Sequence, residues 1–171
     1  MWTSSAYLLE QKYGNVLIPD AKKLVEHWLD LKINYGFYEY FSSVYLPFTL
    51  SAVLNLVDFS EDPVIQQKAV LVANRLLKEV LMVSNDKGVY YQSSGRTAYA
   101  PGEANIFQSP YGSSIHSLIY MLTGFGGTPK TANASAFLAT STLNVKDIVE
   151  SWKSKQDTIY SFGHTLSEGF A

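Results

Sequence analysis

Apolar residues recur at helical spacing along the first half of the chain. Residues 20–32 place Leu24, Val25 and Trp28 on one side of a predicted helix. Asp20 precedes the first apolar residue of this pattern, which is the position of an N-cap. The pattern indicates an amphipathic helix that buries one face.

Two more helices follow with clearer boundaries. One is predicted from Pro47 to Val57, because a proline in the first turn of a helix leaves no extra amide unpaired. The next covers residues 63–83, where Asp62 is the expected N-cap and Pro63 the first helical residue. Its apolar stripe is broad, so we expect other elements to cover it on more than one side.

The helical pattern weakens in the second half. Residues 89–92 fit a short strand and residues 93–102 a loop rich in small and polar side chains. A helix is predicted from about residue 111 to 122 with a glycine-rich stop at 124–127, and a short one at 145–153. Helices joined by uneven loops are typical of helical hairpins. Long loops in a compact domain are usually functional or disordered, and these loops are too aromatic for disorder.

The composition fits one globular domain over residues 1–171. Hydrophobic residues make up 47% of the chain and charged residues 16%, below the usual quarter, which favours extensive burial. A net charge of −2 without basic clusters predicts no nucleic-acid partner. No apolar run is long enough for a membrane span, and no signal peptide is recognised, which leaves the cellular compartment undetermined.

We expect neither a metal nor a cofactor. The chain has no cysteine, and His27, His116 and His164 are not spaced as metal ligands are. The glycine-rich segment 124–127 follows a predicted helix rather than a strand, so it does not fit a phosphate-binding loop. There is no G-x-S-x-G sequence of the kind that holds a nucleophilic serine.

Residues 34–45 carry the strongest candidate chemistry. Glu39 stands among aromatic residues, including Tyr38, where a carboxylate needs partners or a task. Aromatic faces beside an isolated acid are what a sugar-binding cleft offers its ligand. In the alternative, this segment only connects two helices, the tyrosines pack, and Glu39 caps backbone amides.

Several short stretches occur in the same order and spacing as in a bacterial family of large helical proteins. They lie within residues 1–150 and are Gly36-Phe37-Tyr38-Glu39 with Ser42 or Ser43 and Tyr45, Leu54-Asn55-Leu56-Val57-Asp58-Phe59 with Asp62-Pro63, Gly95-Arg96-Thr97-Ala98-Tyr99, and Ala139-Thr140-Ser141. In these stretches the chain resembles the (α/α) toroid, or six-hairpin, proteins, which include many polysaccharide lyases and some glycoside hydrolases. The resemblance implies an all-α fold of antiparallel helical hairpins. Because each turn of the ring takes a helical pair, we expect 171 residues to form part of a toroid, as a fragment of a larger one.

The resemblance also implies the chemistry of a lyase. A uronate carboxylate must be neutralised before its neighbouring proton can be removed, and Tyr or His then moves that proton. Arg96 is the candidate neutraliser, since its guanidinium can bind a carboxylate with two donors. Tyr45 or Tyr99 is the candidate for proton transfer. Alternatively, Arg96 pairs with Glu39 or caps a helix.

A glycoside hydrolase would use different residues. It needs two carboxylates about 5–9.5 Å apart across the scissile bond. Glu39 is the best first member, and Glu103 is the plausible second member in a loop. Asp58 and Asp62 are predicted to serve only at helix ends.

We therefore expect a carbohydrate-active domain, lyase-like in preference to hydrolase-like, that acts on a polysaccharide or oligosaccharide. The predicted catalytic residues are Glu39, Tyr45, Arg96 and Tyr99, and the predicted substrate-binding residues are Tyr38, Glu103, Tyr111 and His116. For His116, a packing role is the alternative. The alternative function is a non-catalytic helical scaffold or a module that binds a glycan or a partner, such as the remainder of a larger chain or a second copy.

Overall fold

A computed structural model describes residues 2–14, 17–37, 42, 45–85, 88, 90, 114–126 and 133–154. These ranges contain helices and no strand, so the described chain is all-α, as predicted. The helices are α1 (Trp2–Tyr13), α2 (Ala21–Tyr35), α3 (Tyr45–Phe59), α4 (Pro63–Met82), α5 (Ser114–Thr123), α6 (Asn133–Thr140) and α7 (Lys146–Lys153). None of these helices is long and apolar enough to cross a membrane.

Helices α3 and α4 form the centre of the fold. Only residues 60–62 connect them, so the chain turns back sharply and the two helices pack along each other. Helix α3 also contacts α1, α5 and α6, while α4 also contacts α2, α5 and α7. The consecutive pairs α1–α2 and α5–α6 are in contact as well, so helices that are neighbours in sequence pack as pairs.

The core is one cluster of buried side chains to which α3 and α4 contribute most. Burying a leucine or isoleucine side chain of this kind stabilises the fold by roughly 1.5–3 kcal/mol. The buried residues of these two helices recur at the spacing that the sequence showed, and they are Leu46, Leu50, Val53, Leu54, Leu56, Val57, Ile65, Ala69, Val72, Ala73, Leu76, Leu77, Val80 and Leu81. The breadth of the set on α4 confirms that more than one element covers this helix.

Helix α4 begins as predicted. The Asp62 carboxylate accepts hydrogen bonds from the amides of Val64, at 2.8 Å, and Ile65, at 3.2 Å. Pro63 occupies the first helical position. The hydrogen bond from Lys22 and the bond from the Ile65 amide lower the pKa of Asp62, since both favour its charged form.

The capping role predicted for Asp20 is wrong, although α2 does begin at the next residue. Asp20 has a left-handed backbone with φ of 57° and makes no side-chain bond to the helix. An N-cap needs an extended backbone to bring its oxygen to the first free amides, and the left-handed conformation does not do this. The Asp20 carboxylate instead pairs with Lys23, at 2.9 Å.

Asp58 fastens the end of α6 to α3. One of its carboxylate oxygens accepts bonds from the Ser141 hydroxyl at 3.1 Å, the Thr142 amide at 2.8 Å and the Thr142 hydroxyl at 2.7 Å. Asp58 stands at the end of α3, as predicted, but its carboxylate binds a distant segment and does not serve its own helix end.

Two glycines at turns have left-handed backbones. Gly88 has φ of 75°, and a Cβ added to it would lie 2.7 Å from the Gly126 nitrogen and the Phe125 carbonyl, so no larger residue fits there. Gly124, also at φ of 75°, ends α5 as the sequence indicated.

Of the predicted strand 89–92, only Tyr90 is described, and it forms an isolated antiparallel bridge with Ser84. Helices α1 and α6 were not predicted.

Candidate functional site

The predicted site residues fall mostly outside the described part of the chain. Tyr45 and His116 lie within it, and the residues that lie outside are Tyr38, Glu39, Arg96, Tyr99, Glu103 and Tyr111. The convergence of Glu39, Arg96 and a tyrosine in one cleft therefore stays a prediction.

Tyr45 is the first residue of α3. Its amide donates to the hydroxyl of the buried Ser42, at 3.1 Å, so Ser42 anchors the start of the helix. The Tyr45 side chain is partly exposed, and its predicted part in proton transfer stays a prediction.

His116 is 1% exposed on α5. Its Nε2 lies 2.6 Å from the Gly126 carbonyl oxygen, so Nε2 carries the proton and donates it. A Cβ at position 126 would lie 2.7 Å from the same nitrogen, which explains the glycine there. This geometry favours the packing alternative for His116, and its predicted substrate contact stays untested.

A partly buried charged cluster lies where α4 packs against the C-terminal end of α2. The Arg75 Nε donates to the Glu79 carboxylate at 2.9 Å, and Nη1 donates to the carbonyls of Lys32 at 3.1 Å and Ile33 at 2.8 Å. Carbonyls in the last turn of a helix lack partners within it, so Arg75 satisfies the end of α2 from outside. We call Lys32, Arg75, Glu79 and Tyr90 the charged junction.

Gly36 joins the charged junction to the segment that carries Tyr38 and Glu39 in the sequence. It has φ of 84°, and a Cβ added to it would lie 2.7 Å from the Arg75 Nη2. A larger residue would be strained in this conformation and would push the guanidinium away. The position of Arg75 thus explains why a glycine stands first in Gly36-Phe37-Tyr38-Glu39.

Lys32 is a buried cation among aromatic rings. Its Nζ lies 5.7 Å from the ring centre of Trp28 and 5.7 Å from that of Phe37, within the range of cation–π attraction. Burial lowers the pKa of Lys32, and the positive charge of Arg75 lowers it further. Both effects disfavour the charged form of this side chain.

Glu79 and Tyr90 form the rest of the charged junction. Burial raises the pKa of Glu79 despite the opposing hydrogen bond from Arg75. Burial also raises the pKa of Tyr90, with a smaller contribution from the charge of Glu79, so the phenol stays protonated at neutral pH. The Tyr90 hydroxyl is buried and makes no hydrogen bond within the described ranges. A protonated phenol can donate a hydrogen bond.

Trp28 also lines a small cavity between α1, α2 and α3. The cavity has a volume of about 150 Å³, and its polar lining consists of Thr3, Ser4 and Thr49. Hydroxyls beside an indole ring suit a ring-shaped ligand that both stacks and forms hydrogen bonds.

Sequence reasoning missed the charged junction. Arg75 and Glu79 stand four residues apart on a helix predicted to be deeply packed, and Lys32 follows Trp28 at the same spacing. The charged residues within this broadly apolar helix could have indicated the junction, because ionised side chains are rarely buried without a partner.

Comparisons with protein-family models, with curated proteins and with solved structures find no match to this chain. Among the residues with described positions, no group of three or more histidine, aspartate or glutamate side chains is arranged to hold a metal ion. The assignment of function therefore depends on the residues themselves.

Proposed function

We propose that the chain is a carbohydrate-active helical domain, polysaccharide-lyase-like, built of hairpins that form part of an (α/α) toroid. The helix contacts support the hairpin arrangement. Helix α1 contacts both α2 and α3, and α2 contacts α4, so pairs that are neighbours in sequence also pack side by side. Stacked helical pairs are the repeating unit of a toroid.

The observation that carries the proposal is a partly exposed aromatic ring beside charged side chains. The Lys32 ammonium group lies 5.7 Å from the ring centre of Trp28, and Arg75 and Glu79 belong to the same charged junction. The ring of Trp28 offers a face for a sugar, and cationic side chains attract a carboxylate. A uronate residue supplies both groups.

A lyase reaction assigns a task to each kind of residue. A cation binds the uronate carboxylate, which makes the proton on the adjacent carbon more acidic. A base takes that proton, a double bond forms to the neighbouring carbon, and the bond from that carbon to the glycosidic oxygen breaks. The leaving oxygen then receives a proton. We assign Arg96 to the carboxylate, Tyr45 or Tyr99 to proton transfer, and Glu39 and the charged junction to orienting the substrate.

The test is an assay of the whole protein on polygalacturonate, alginate and hyaluronan, which follows the ultraviolet absorbance of an unsaturated product. We expect absorbance to grow with at least one substrate, and Arg96→Ala to abolish it while leaving circular dichroism unchanged. Lys153→Ala, which removes an exposed cation of α7, is the control and should keep full turnover. No product from any substrate, or full turnover by Arg96→Ala, would contradict the proposal.

A second candidate is a non-catalytic module that docks on a partner, and one feature of α1 favours it. Trp2, Leu9 and Tyr13 lie on one side of this helix, since their spacings of seven and four residues return to the same face. All three are exposed, Trp2 by 73%. Under this candidate, Trp2→Ser abolishes self-association measured by light scattering, whereas a monomer at all concentrations argues against a second copy as partner.

A further inference from the structure

The cavity between α1, α2 and α3 is open to solvent on one side and has walls of two kinds. Its volume is about 150 Å³. The buried side chains of Val25, Val53 and Leu56 form an aliphatic wall, and Thr3 and Thr49 bring hydroxyl groups from α1 and α3. Helix α1 packs against both α2 and α3, so it closes the space between them. We call this space the hydroxyl cavity.

The two threonine hydroxyls of the cavity are available to a ligand. Both side chains are partly exposed, and within the described ranges neither hydroxyl forms a hydrogen bond with the protein. Other helical threonines behave differently, since the hydroxyls of Thr123 and Thr140 donate to carbonyls one turn earlier in their own helices. A hydroxyl without such a bond keeps its donor and both acceptor positions for water or for a ligand.

The charge of the hydroxyl cavity selects the class of ligand. Among the described residues that line it, none is ionisable. The Lys32 ammonium group lies 5.7 Å from the ring centre of Trp28 but does not line the cavity. A charged group would lose its water there without gaining an opposite charge, so the cavity favours a neutral ligand.

The size and the two kinds of wall narrow the class further. An engineered apolar cavity of about the same volume holds one benzene molecule, so the hydroxyl cavity has room for one six-membered ring. A sugar ring has an apolar C–H face and a polar set of hydroxyl groups. The first suits the aliphatic wall and the ring of Trp28, and the second suits the threonine hydroxyls.

We propose that the hydroxyl cavity binds one neutral sugar ring, with its C–H face against the aliphatic wall and its hydroxyl groups bonded to Thr3 and Thr49. The cavity borders the charged junction at Trp28, but it takes a sugar that carries no carboxylate. The inference therefore does not rest on the proposed lyase activity.

Calorimetric titration of the whole protein tests the inference. The probes are glucose, galactose, mannose, xylose and N-acetylglucosamine, and sorbitol offers similar hydroxyl groups without a ring. We expect at least one sugar to bind, and sorbitol to bind about tenfold more weakly or less, because a flexible chain must be ordered on binding and has no fixed apolar face. Absence of binding by every sugar, or equal binding of sorbitol, would overturn the inference.

Two substitutions test whether the sugar occupies this cavity. Thr49→Val removes one hydroxyl and keeps a branched side chain, so it should weaken binding about three- to tenfold, the effect of losing one hydrogen bond. Ala52→Leu fills part of the space from the same helix and should weaken binding about tenfold or more. Thr140→Val makes the same chemical change at an exposed residue of α6 outside the cavity, and should bind as the wild type does.

Thermal unfolding separates lost binding from a lost fold. Because Thr49 is partly exposed and its hydroxyl has no partner in the described chain, Thr49→Val should keep a thermal midpoint close to that of the wild type. If Ala52→Leu did not fold, Thr49→Val alone would decide. Unchanged affinity in a folded variant of either kind would overturn the inference. The lyase assay is a separate measurement, so a missing unsaturated product would contradict the proposed function and not this inference.

Discussion

Helices α3 and α4 pack through aliphatic side chains, whereas the contacts between α2 and α4 include several charged ones. Helix α2 adds Val25 and Leu29 to the core. It is also tied to α4 by Lys68, which pairs with Glu26 at 2.9 Å and Asp30 at 2.8 Å, and by Arg75. Burial of apolar surface reliably stabilises a fold, but a buried ion pair is weak evidence for stability. The α2 side of α4 is therefore where a functional reason for the charges should be sought.

The largest expected effect is on the aliphatic side of this comparison. Leu76→Ala should lower the free energy of unfolding by about 2–5 kcal/mol, because it removes buried methyl groups and leaves a cavity. Leu71→Ala makes the same change on the same helix at a residue that is 52% exposed, and it should cost no more than about 0.5 kcal/mol. Urea denaturation measures both. Equal losses in the two variants would show that α4 is not packed as described.

The next effect concerns Arg75. Arg75→Ala leaves Glu79 without its ion pair and two α2 carbonyls without donors, so we expect a loss of about 2–3 kcal/mol in denaturant unfolding. Lys68→Ala also removes a cation between α2 and α4, but its partners Glu26 and Asp30 are more exposed than Glu79, so the loss should be about 0.5–1 kcal/mol. If Lys68→Ala lowered the free energy of unfolding as much as Arg75→Ala does, burial of the ion-pair partners would not determine how strongly each link stabilises the fold.

The starts of α2 and α4 should respond in opposite directions. Asp62→Ala removes a cap with two amide bonds and should lower the Tm by about 2–4 °C. Asp20→Gly relieves a left-handed backbone that costs a non-glycine residue free energy, and should raise the Tm by about 2–4 °C. Calorimetry measures both shifts. A lower Tm for Asp20→Gly would mean that Asp20 stabilises α2 after all.

The smallest effect is a dependence on pH. The pKa of Glu79 is raised in the fold, so its protonation stabilises the folded protein, and this contribution disappears as the pH rises through the folded pKa. The stability of the wild type relative to Glu79→Gln should therefore increase as the pH falls from 7 towards 4.5. The pKa of Asp62 is lowered, so the advantage of the wild type over Asp62→Asn should shrink over the acid range. Denaturation at several pH values measures whether each difference in stability changes in the expected direction.

The sequence predicted the parts of the fold that local patterns determine. Helix α4 was found with its cap because Asp62-Pro63 and a broad apolar stripe agree. Helix α1 was missed because its apolar residues do not collect on the buried side, as Trp2, Leu9 and Tyr13 are exposed. Helix α6 is only eight residues long and is held by Asp58, which comes from a distant part of the chain.

The candidate site was harder to predict because tertiary packing creates it. The sequence alone suggests an ordinary helical arginine at position 75, and only its approach to Gly36 and to the α2 carbonyls makes it a partly buried link between the helices. Tyr90 was assigned to a strand, and no local sequence pattern indicates that its hydroxyl is buried beside Glu79. Motif reasoning instead selected Glu39 and Arg96, whose roles stay predictions.

The most direct test of the functional account is the double variant Arg75→Met/Glu79→Leu. Replacing a buried ion pair by apolar residues of similar volume is often neutral or stabilising, so this variant should recover most of the stability lost in Arg75→Ala. Its ultraviolet-monitored turnover of uronate polysaccharides should nevertheless fall at least tenfold. A stable double variant with wild-type turnover would contradict the claim that the charged junction is kept for function.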